Sequence, residues 1–291
     1  MSLDLNDFAS KVRVTDGAWG TELHAHGLPA GECPELWNSE NPEAVEDVAR
    51  SYVAAGSEII LTNTFGGNKF VLAPHGAGEH AGVLCEAGAQ ISRRAAGETV
   101  KVFGSIGPTG KIVMMGEVPE EELAEAFAAA AGGLKRGQVD AIVLESFSEL
   151  AEVRLAIRAV RKVTDLPIVA SMTFASGPDK TNTVMGDSPA DLARLAEEEG
   201  AGAVGANCGV GPDNYVKVAR LLREATELPI WIKPNAGIPK IVKGRTAFPM
   251  GPEDFAGFVS PLVEAGANFI GGCCGTTPAH IRAVREAVRQ Q

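Results

Sequence analysis

The feature that most constrains this chain is its repeated change of hydrophobic period. Short apolar runs rich in β-branched residues alternate with stretches of helical period from one end of the sequence to the other. The runs predict strands over 12–15, 58–62, 100–105, 141–145, 168–173, 203–207, 230–233 and 269–272. Between them the pattern predicts helices over 42–55, 120–136, 148–163, 189–199, 212–225 and 252–265. Several of these open on proline, whose missing N–H is harmless in a first turn. Several are followed by glycine, as at Gly56, Gly137, Gly200 and Gly266. Eight strands alternating with helices in 291 residues is the count of a (β/α)8 TIM barrel in a single domain over 1–291. An open doubly wound sheet is the runner-up, because a strand count does not prove closure. There is no internal repeat and no linker composition.

In a barrel, chemistry gathers where strands end and βα loops begin. The unusual residues fall there. Strand one runs into Asp16-Gly-Ala-Trp-Gly-Thr-Glu22 and strand two into Thr62-Asn-Thr-Phe-Gly-Gly-Asn68. Strand four ends at Glu145, strand six at Asn207-Cys208, and strand seven at Lys233-Pro-Asn-Ala-Gly237. Strand eight ends in Phe269-Ile-Gly-Gly-Cys-Cys-Gly-Thr-Thr-Pro278. A regular strand would point Cys273 and Cys274 to opposite faces. For both sulfurs to reach one centre the backbone must leave strand geometry, and Gly271, Gly272 and Gly275 allow it. With Cys208 they make three thiols from two strand ends. That set suits a zinc ion with one coordination position left open. The alternative at this point is three free cysteines packed as small hydrophobes.

Gly-Gly-Cys-Cys-Gly-Thr-Thr-Pro closely resembles the zinc-thiol signature of the homocysteine S-methyltransferase family. The family includes the homocysteine-binding module of cobalamin-dependent methionine synthase, betaine–homocysteine methyltransferase and members that use S-methylmethionine. The resemblance runs from Asp16 to Pro278. It implies a zinc-dependent transferase of methionine biosynthesis, with Zn2+ held by Cys208, Cys273 and Cys274 and homocysteine as methyl acceptor. It also implies that Asp16 and Glu145 take the substrate's amino group and that the N–H groups of Gly17 and Ala18 take its carboxylate. Asn235 resembles a residue that occupies the open metal position when substrate is absent. Read without the family, Asp16-Gly17 is an ordinary turn and Glu145 a charge at a helix N-terminus. Asn207 precedes a candidate ligand and is placed to orient it.

The methyl donor is signalled in conflicting ways. Ser146 stands where betaine-using members resemble one another in carrying an aromatic. Thr62-Asn-Thr-Phe65 and Pro-Asn-Ala-Gly look like the methionine-synthase module, whereas Leu36-Trp37 with Asn41-Pro-Glu43 looks like S-methylmethionine users. A thiolate attacks a methyl on an onium centre or on cobalt far more readily than one on neutral methylfolate. The expectation leans to a small onium donor, with Trp19 and Trp37 as cation–π faces. A corrinoid donor would come on a separate protein partner. The other readings are a methyltransferase or lyase acting on a different thiol, and a non-catalytic zinc- or thiol-binding protein.

Composition narrows the rest. A net charge of -11 opposes nucleic-acid binding and offers no patch for anionic membranes. No apolar run approaches the roughly 18 residues of a membrane span. The five cysteines are an odd number in a large chain, which fits a reducing cytoplasm rather than a disulfide framework. Cys33 and Cys85 are expected to pack, and all five histidines to lie on the surface. Gly107-Pro-Thr-Gly110 is expected to be a plain turn rather than an anion nest.

Overall fold

The computed structural model describes residues 3–242 and 245–291. Eight parallel strands form one sheet: β1 (Arg13–Val14), β2 (Ile59–Leu61), β3 (Lys101–Ile106), β4 (Ala141–Phe147), β5 (Ile168–Met172), β6 (Ala203–Cys208), β7 (Ile230–Pro234) and β10 (Ala267–Ile270). They run around the sheet in sequence order, β1-β10-β7-β6-β5-β4-β3-β2. A doubly wound sheet would reverse direction at a switch point, and this one does not. The fold is a (β/α)8 barrel.

The seam between β1 and β2 closes in an unusual way. One backbone bond crosses it, from the Glu58 N–H to the Val14 carbonyl at 2.8 Å. Carboxylates supply more of the pairing. Val14 N–H donates to Glu58 Oε2 at 3.2 Å, and Leu61 N–H donates to Asp16 Oδ2 at 2.6 Å. Two short strands thus close the barrel with side chains standing in for ladder bonds.

Two apolar layers build the core. Inside the barrel, Leu61, Phe103, Val143, Val169, Trp231 and Phe269 pack together. Phe103 and Trp231 stack with ring centroids 5.9 Å apart, and Trp231 meets Phe269 at 5.6 Å. Gly205 faces the backbone of Trp231 so closely that any Cβ would meet the Trp231 carbonyl oxygen at 2.1 Å. The short helix Leu5–Phe8 lays Leu5 against this interior cluster. The second layer lies between strands and outer helices and joins Val14, Ile60, Ile142, Ala170, Val204 and Ile232 to helical residues such as Val48, Phe127 and Val218.

Helices Pro42–Ala55, Glu120–Arg136 and Pro212–Ala225 lie where their proline, glycine and period signals put them. The helix expected over 252–265 is two helices, Pro252–Ala256 and Val259–Glu264. Pro261 explains the break, since its ring excludes the carbonyl four residues back and it has no N–H to donate. A short antiparallel hairpin, β8 (Lys240–Val242) with β9 (Arg245–Ala247), was not expected; three-residue strands are too short to show an alternation. No described helix is long and apolar enough to cross a membrane.

Candidate active site

The site grows out of the period-2 rule. Two residues beyond each interior apolar side chain, toward the C-terminal end of the strand, the next inward position is polar. Phe103 is followed by Ser105, Val143 by Glu145, Val169 by Ser171, and Trp231 by Lys233. These four, with Asn207 and Asp16, form a buried polar layer on top of an apolar floor. Every charge in such a layer needs a partner.

Asp16 is the most heavily used of them. Its Oδ2 accepts Leu61 N–H at 2.6 Å and Trp19 Nε1–H at 2.8 Å. Its Oδ1 accepts from Lys233 Nζ, in an ion pair whose side chains are 2% and 0% exposed. Glu145 is buried beside them and accepts the Ser105 hydroxyl at 2.5 Å. Burial pushes its carboxyl above the ordinary range; the Lys233 charge and the Ser105 hydrogen bond pull it partly back. The register of β4 against β5 slips between Leu144 and Phe147, so Glu145 and Ser146 sit in a bulge. Bulges of this kind re-aim a side chain.

The three thiols lie at the strand ends beyond this layer. Cys208 closes β6 with φ 66, a left-handed conformation rare for a side chain of its kind. After β10, Gly271 N–H and Cys273 N–H continue the bonding to β7, on Ile232 O at 3.1 Å and Pro234 O at 2.8 Å. The chain then turns at Gly275, φ 82, where a Cβ would strike the Phe248 ring at 2.1 Å. Gly271 and Gly272 serve differently from expectation. Neither has positive φ, and each is needed for close approach, to Thr15 and to Thr276.

The result brings the Cys208, Cys273 and Cys274 sulfurs within 4.8 Å of one another. Cys274 Sγ is 4.0 Å from Cys208 Sγ and 4.0 Å from Cys273 Sγ. A tetrahedral ion with bonds of about 2.3 Å to sulfur would set its sulfurs about 3.8 Å apart, so this donor set fits one. Beside it, Asn235 Nδ2 donates to Gly209 O at 3.1 Å, while its buried Oδ1 is left without a hydrogen-bond partner of its own. Hydrogen bonds from Cys273 and Cys274 hold the Cys208 thiol down at about 3, and the same bonds to Cys208 push Cys273 up and Cys274 up to about 12.

The comparisons with known proteins agree with this geometry. The family model described as homocysteine S-methyltransferase matches residues 13–288. This chain belongs to that family. It is 33% identical to a methionine synthase of Mycobacterium tuberculosis and 31% identical to one of Mycobacterium leprae, each over 98% of this chain and 25% of the relative. The chain therefore spans about a quarter of the length of those curated relatives. Among solved structures, the homocysteine methyltransferase MmuM from Escherichia coli in its oxidized form shares the fold with a TM-score of 0.79 at 24% identity, covering 97% of this chain and 98% of that one. Its metallated form matches with a TM-score of 0.78 at 23% identity, covering 95% and 96%.

Against the family's pattern, the structure places the expected residues as follows. Cys208, Cys273 and Cys274 come together, and Asn235 lies beside them. Asp16 and Glu145 share the polar layer, with each other's charge felt at Glu145. Ala18 N–H is already bonded to Thr276 Oγ1 at 3.2 Å, so Gly17 carries the open donor of that turn. Trp19 is half-buried and spends its N–H on Asp16. Trp37 does not face the mouth; it is 9% exposed and packs in the outer core. His280 is not a surface residue either. It is buried, accepts at the N-terminus of the last helix and meets Met250 O at 3.0 Å. The other four histidines are exposed, and Cys33 and Cys85 are buried and free. The Gly107–Gly110 turn binds no anion through Thr109, whose N–H and hydroxyl both go to Glu152. Sequence reasoning gave Lys233, Ser105 and Ser171 no role in the site, and took Ser146 only as a sign about the methyl donor. The signal for Lys233 was present: it stands in register with Trp231 on a strand otherwise wholly apolar.

Proposed function

We propose that this protein is a zinc-dependent homocysteine S-methyltransferase that forms methionine. The observation that carries the reading is the cluster of three thiols set at the strand ends beyond a buried polar layer that holds Asp16, Glu145 and Lys233. Cys208, Cys273 and Cys274 would hold the metal, with Asn235 Oδ1 as its partner until a thiol arrives. Zinc bound there would act as a Lewis acid that brings the substrate thiol's ionisation, ordinarily near pH 8.5, into the neutral range. The chain's own residues do the rest. Glu145 receives the ammonium of homocysteine, and the Gly17 N–H its carboxylate. Asp16 is saturated by Lys233, Trp19 and Leu61, so it acts on the ammonium by its charge and by fixing the floor of the pocket. Holding both ends of the substrate leaves its sulfur aimed at the mouth for in-line attack, where positioning supplies much of the rate.

For the donor we favour a methyl group carried on a corrinoid by a partner protein. The curated relatives are named methionine synthases, which supports this. The burial of Trp37 removes one of the two aromatic faces that a small onium donor would use. The loops beyond β3, β5 and β7 also leave Met114, Met115, Val184, Ile238 and Ile241 exposed, as suits a macromolecular visitor. The test is a methionine-formation assay on zinc-loaded protein with homocysteine and either methylcobalamin, S-methylmethionine or betaine. Turnover with methylcobalamin above the other two is expected. Turnover with S-methylmethionine alone would reverse the choice of donor, and no methionine from any donor, with no homocysteine binding, would overturn the function.

A further inference from the structure

Asn207 joins two strands that are not neighbours. β5 lies between β4 and β6, yet the Asn207 side chain reaches from β6 across to β4. Its Oδ1 accepts the Ser146 N–H at 2.8 Å and the Ser171 hydroxyl at 2.7 Å, and its Nδ2 donates to Ser146 Oγ at 2.6 Å. Its own carbonyl accepts from Tyr215 OH at 2.8 Å and from Thr173 Oγ1 at 3.1 Å. The amide is wholly buried. Asn207 is therefore fixed on both sides, and it fixes what it touches.

What it touches is the backbone that aims the two ends of the proposed substrate site. Ser146 directly follows Glu145, and Cys208 directly follows Asn207. Ser146 and Cys208 both lie in the left-handed region, at φ 64 and φ 66. Non-glycine residues stay there only when the surroundings over-determine them. The β4 bulge that holds Glu145 and Ser146 sits at the same place. One buried amide thus holds the strained turn beside the carboxylate and stands next to the strained turn that carries the sulfur.

We infer that Asn207 and Ser146 are a positioning pair that fixes the span between the Glu145 carboxylate and the Cys208 sulfur, and that this span selects the thiol amino acid by its length. This rests on the reading that Glu145 takes the ammonium and the three thiols the metal. Homocysteine has two methylenes between its α-carbon and sulfur, and cysteine has one. With both ends rigid, the shorter molecule engages one end or the other. With the clasp loosened, the bulge relaxes and the shorter molecule engages both. A difference of one methylene is ordinarily discriminated by about 10–200-fold, and that discrimination depends on ends that do not move.

The experiment measures binding of L-homocysteine and L-cysteine to zinc-loaded wild type, Ser146→Gly and Asn207→Ala by calorimetry, with zinc content and melting followed alongside. In Ser146→Gly, glycine adopts φ 64 freely, so the fold is retained while the hydroxyl and its bond from Asn207 Nδ2 are lost; the bond from the residue-146 N–H to Asn207 Oδ1 stays, and Asn207→Ala removes both. Wild type is expected to prefer homocysteine by tens of fold. Ser146→Gly should keep one equivalent of zinc and lose about 10-fold of that preference, mainly through tighter cysteine binding, and Asn207→Ala should lose at least as much. A Ser146→Gly protein with the wild-type preference overturns the role of the Ser146 hydroxyl, and an Asn207→Ala protein that holds zinc and keeps the wild-type preference overturns the positioning role. A wild type that binds homocysteine no better than cysteine overturns the underlying function instead.

Discussion

Replacing Lys233 by methionine tests the architecture of the pocket most directly. The substitution keeps most of the stem that lies over Trp231, 5.7 Å from ring centroid to Nζ, and deletes only the charge. Asp16 is then left in a site with no exposure and without its cationic partner. Removing one partner of a buried pair costs about 3–5 kcal/mol. Asp16 retains two N–H donors, from Leu61 at 2.6 Å and Trp19 at 2.8 Å, which places the expected loss near the lower end, about 3 kcal/mol. In a domain of this size that is on the order of 6–12 °C in Tm. Adding Asp16→Asn to Lys233→Met removes the stranded charge and should recover part of the loss. The assay is urea unfolding of the two single variants and the double variant, read as a double-mutant cycle. A Lys233→Met protein within about 1 kcal/mol of wild type, or a double variant no more stable than the sum of the singles predicts, would refute the claim that this pair holds the floor of the site.

Four further outcomes are expected. Cys273→Ser should lose tightly held zinc, measured by metal analysis after chelation beside wild type; a full equivalent retained would remove Cys273 from the ligand set. Glu145→Gln should bind homocysteine more weakly by about 1.5–3 kcal/mol, because an amide cannot neutralise an ammonium, with zinc content unchanged. The same carboxyl sets a pH dependence. Burial raises it on folding, so its contribution to stability is full below the ordinary carboxylate range near 4.5 and is lost as pH rises through the raised value. Homocysteine, which needs the carboxylate, should bind more tightly as pH rises through that window, and Lys233→Met should move the window upward; a flat profile that Glu145→Gln leaves unchanged would contradict this. Gly275→Ala must place a side chain at φ 82 against the Phe248 ring and should lower both Tm and zinc retention, as differential scanning with and without chelator would show.

The parts of this protein that were legible in its sequence are those decided by local chemistry. The barrel followed from a change of period repeated eight times, and helices such as Pro42–Ala55 from proline and glycine at their ends. The three thiols were legible because cysteines among glycines at strand ends have few other reasons to be there. What was hidden depends on contacts between distant segments. Lys233 reads as a surface residue by type, and only its parity with Trp231 places it inside. The reach of Asn207 to Ser146 spans 61 residues and crosses a strand, and it exists because a bulge presents the Ser146 N–H there. Trp37 misled because its run looks like a loop, whereas it opens the short helix Trp37–Glu40 and packs inward.

Asp16 shows why sequence alone could not separate binding from folding in this site. One oxygen of its carboxylate closes the β1–β2 seam through Leu61 N–H and orients Trp19. The other holds Lys233. The residue expected to be a ligand for the substrate is therefore also the side chain that completes the barrel where two short strands leave the ladder thin. Any substitution of Asp16 will lower stability and affinity together, and neither loss can be assigned to the other. Glu145 has no such double duty. Among the described residues its one hydrogen bond is to Ser105, and it lies within β4, away from the β1–β2 seam. Recognition of the ammonium is for that reason best tested at Glu145, and the integrity of the pocket at Lys233.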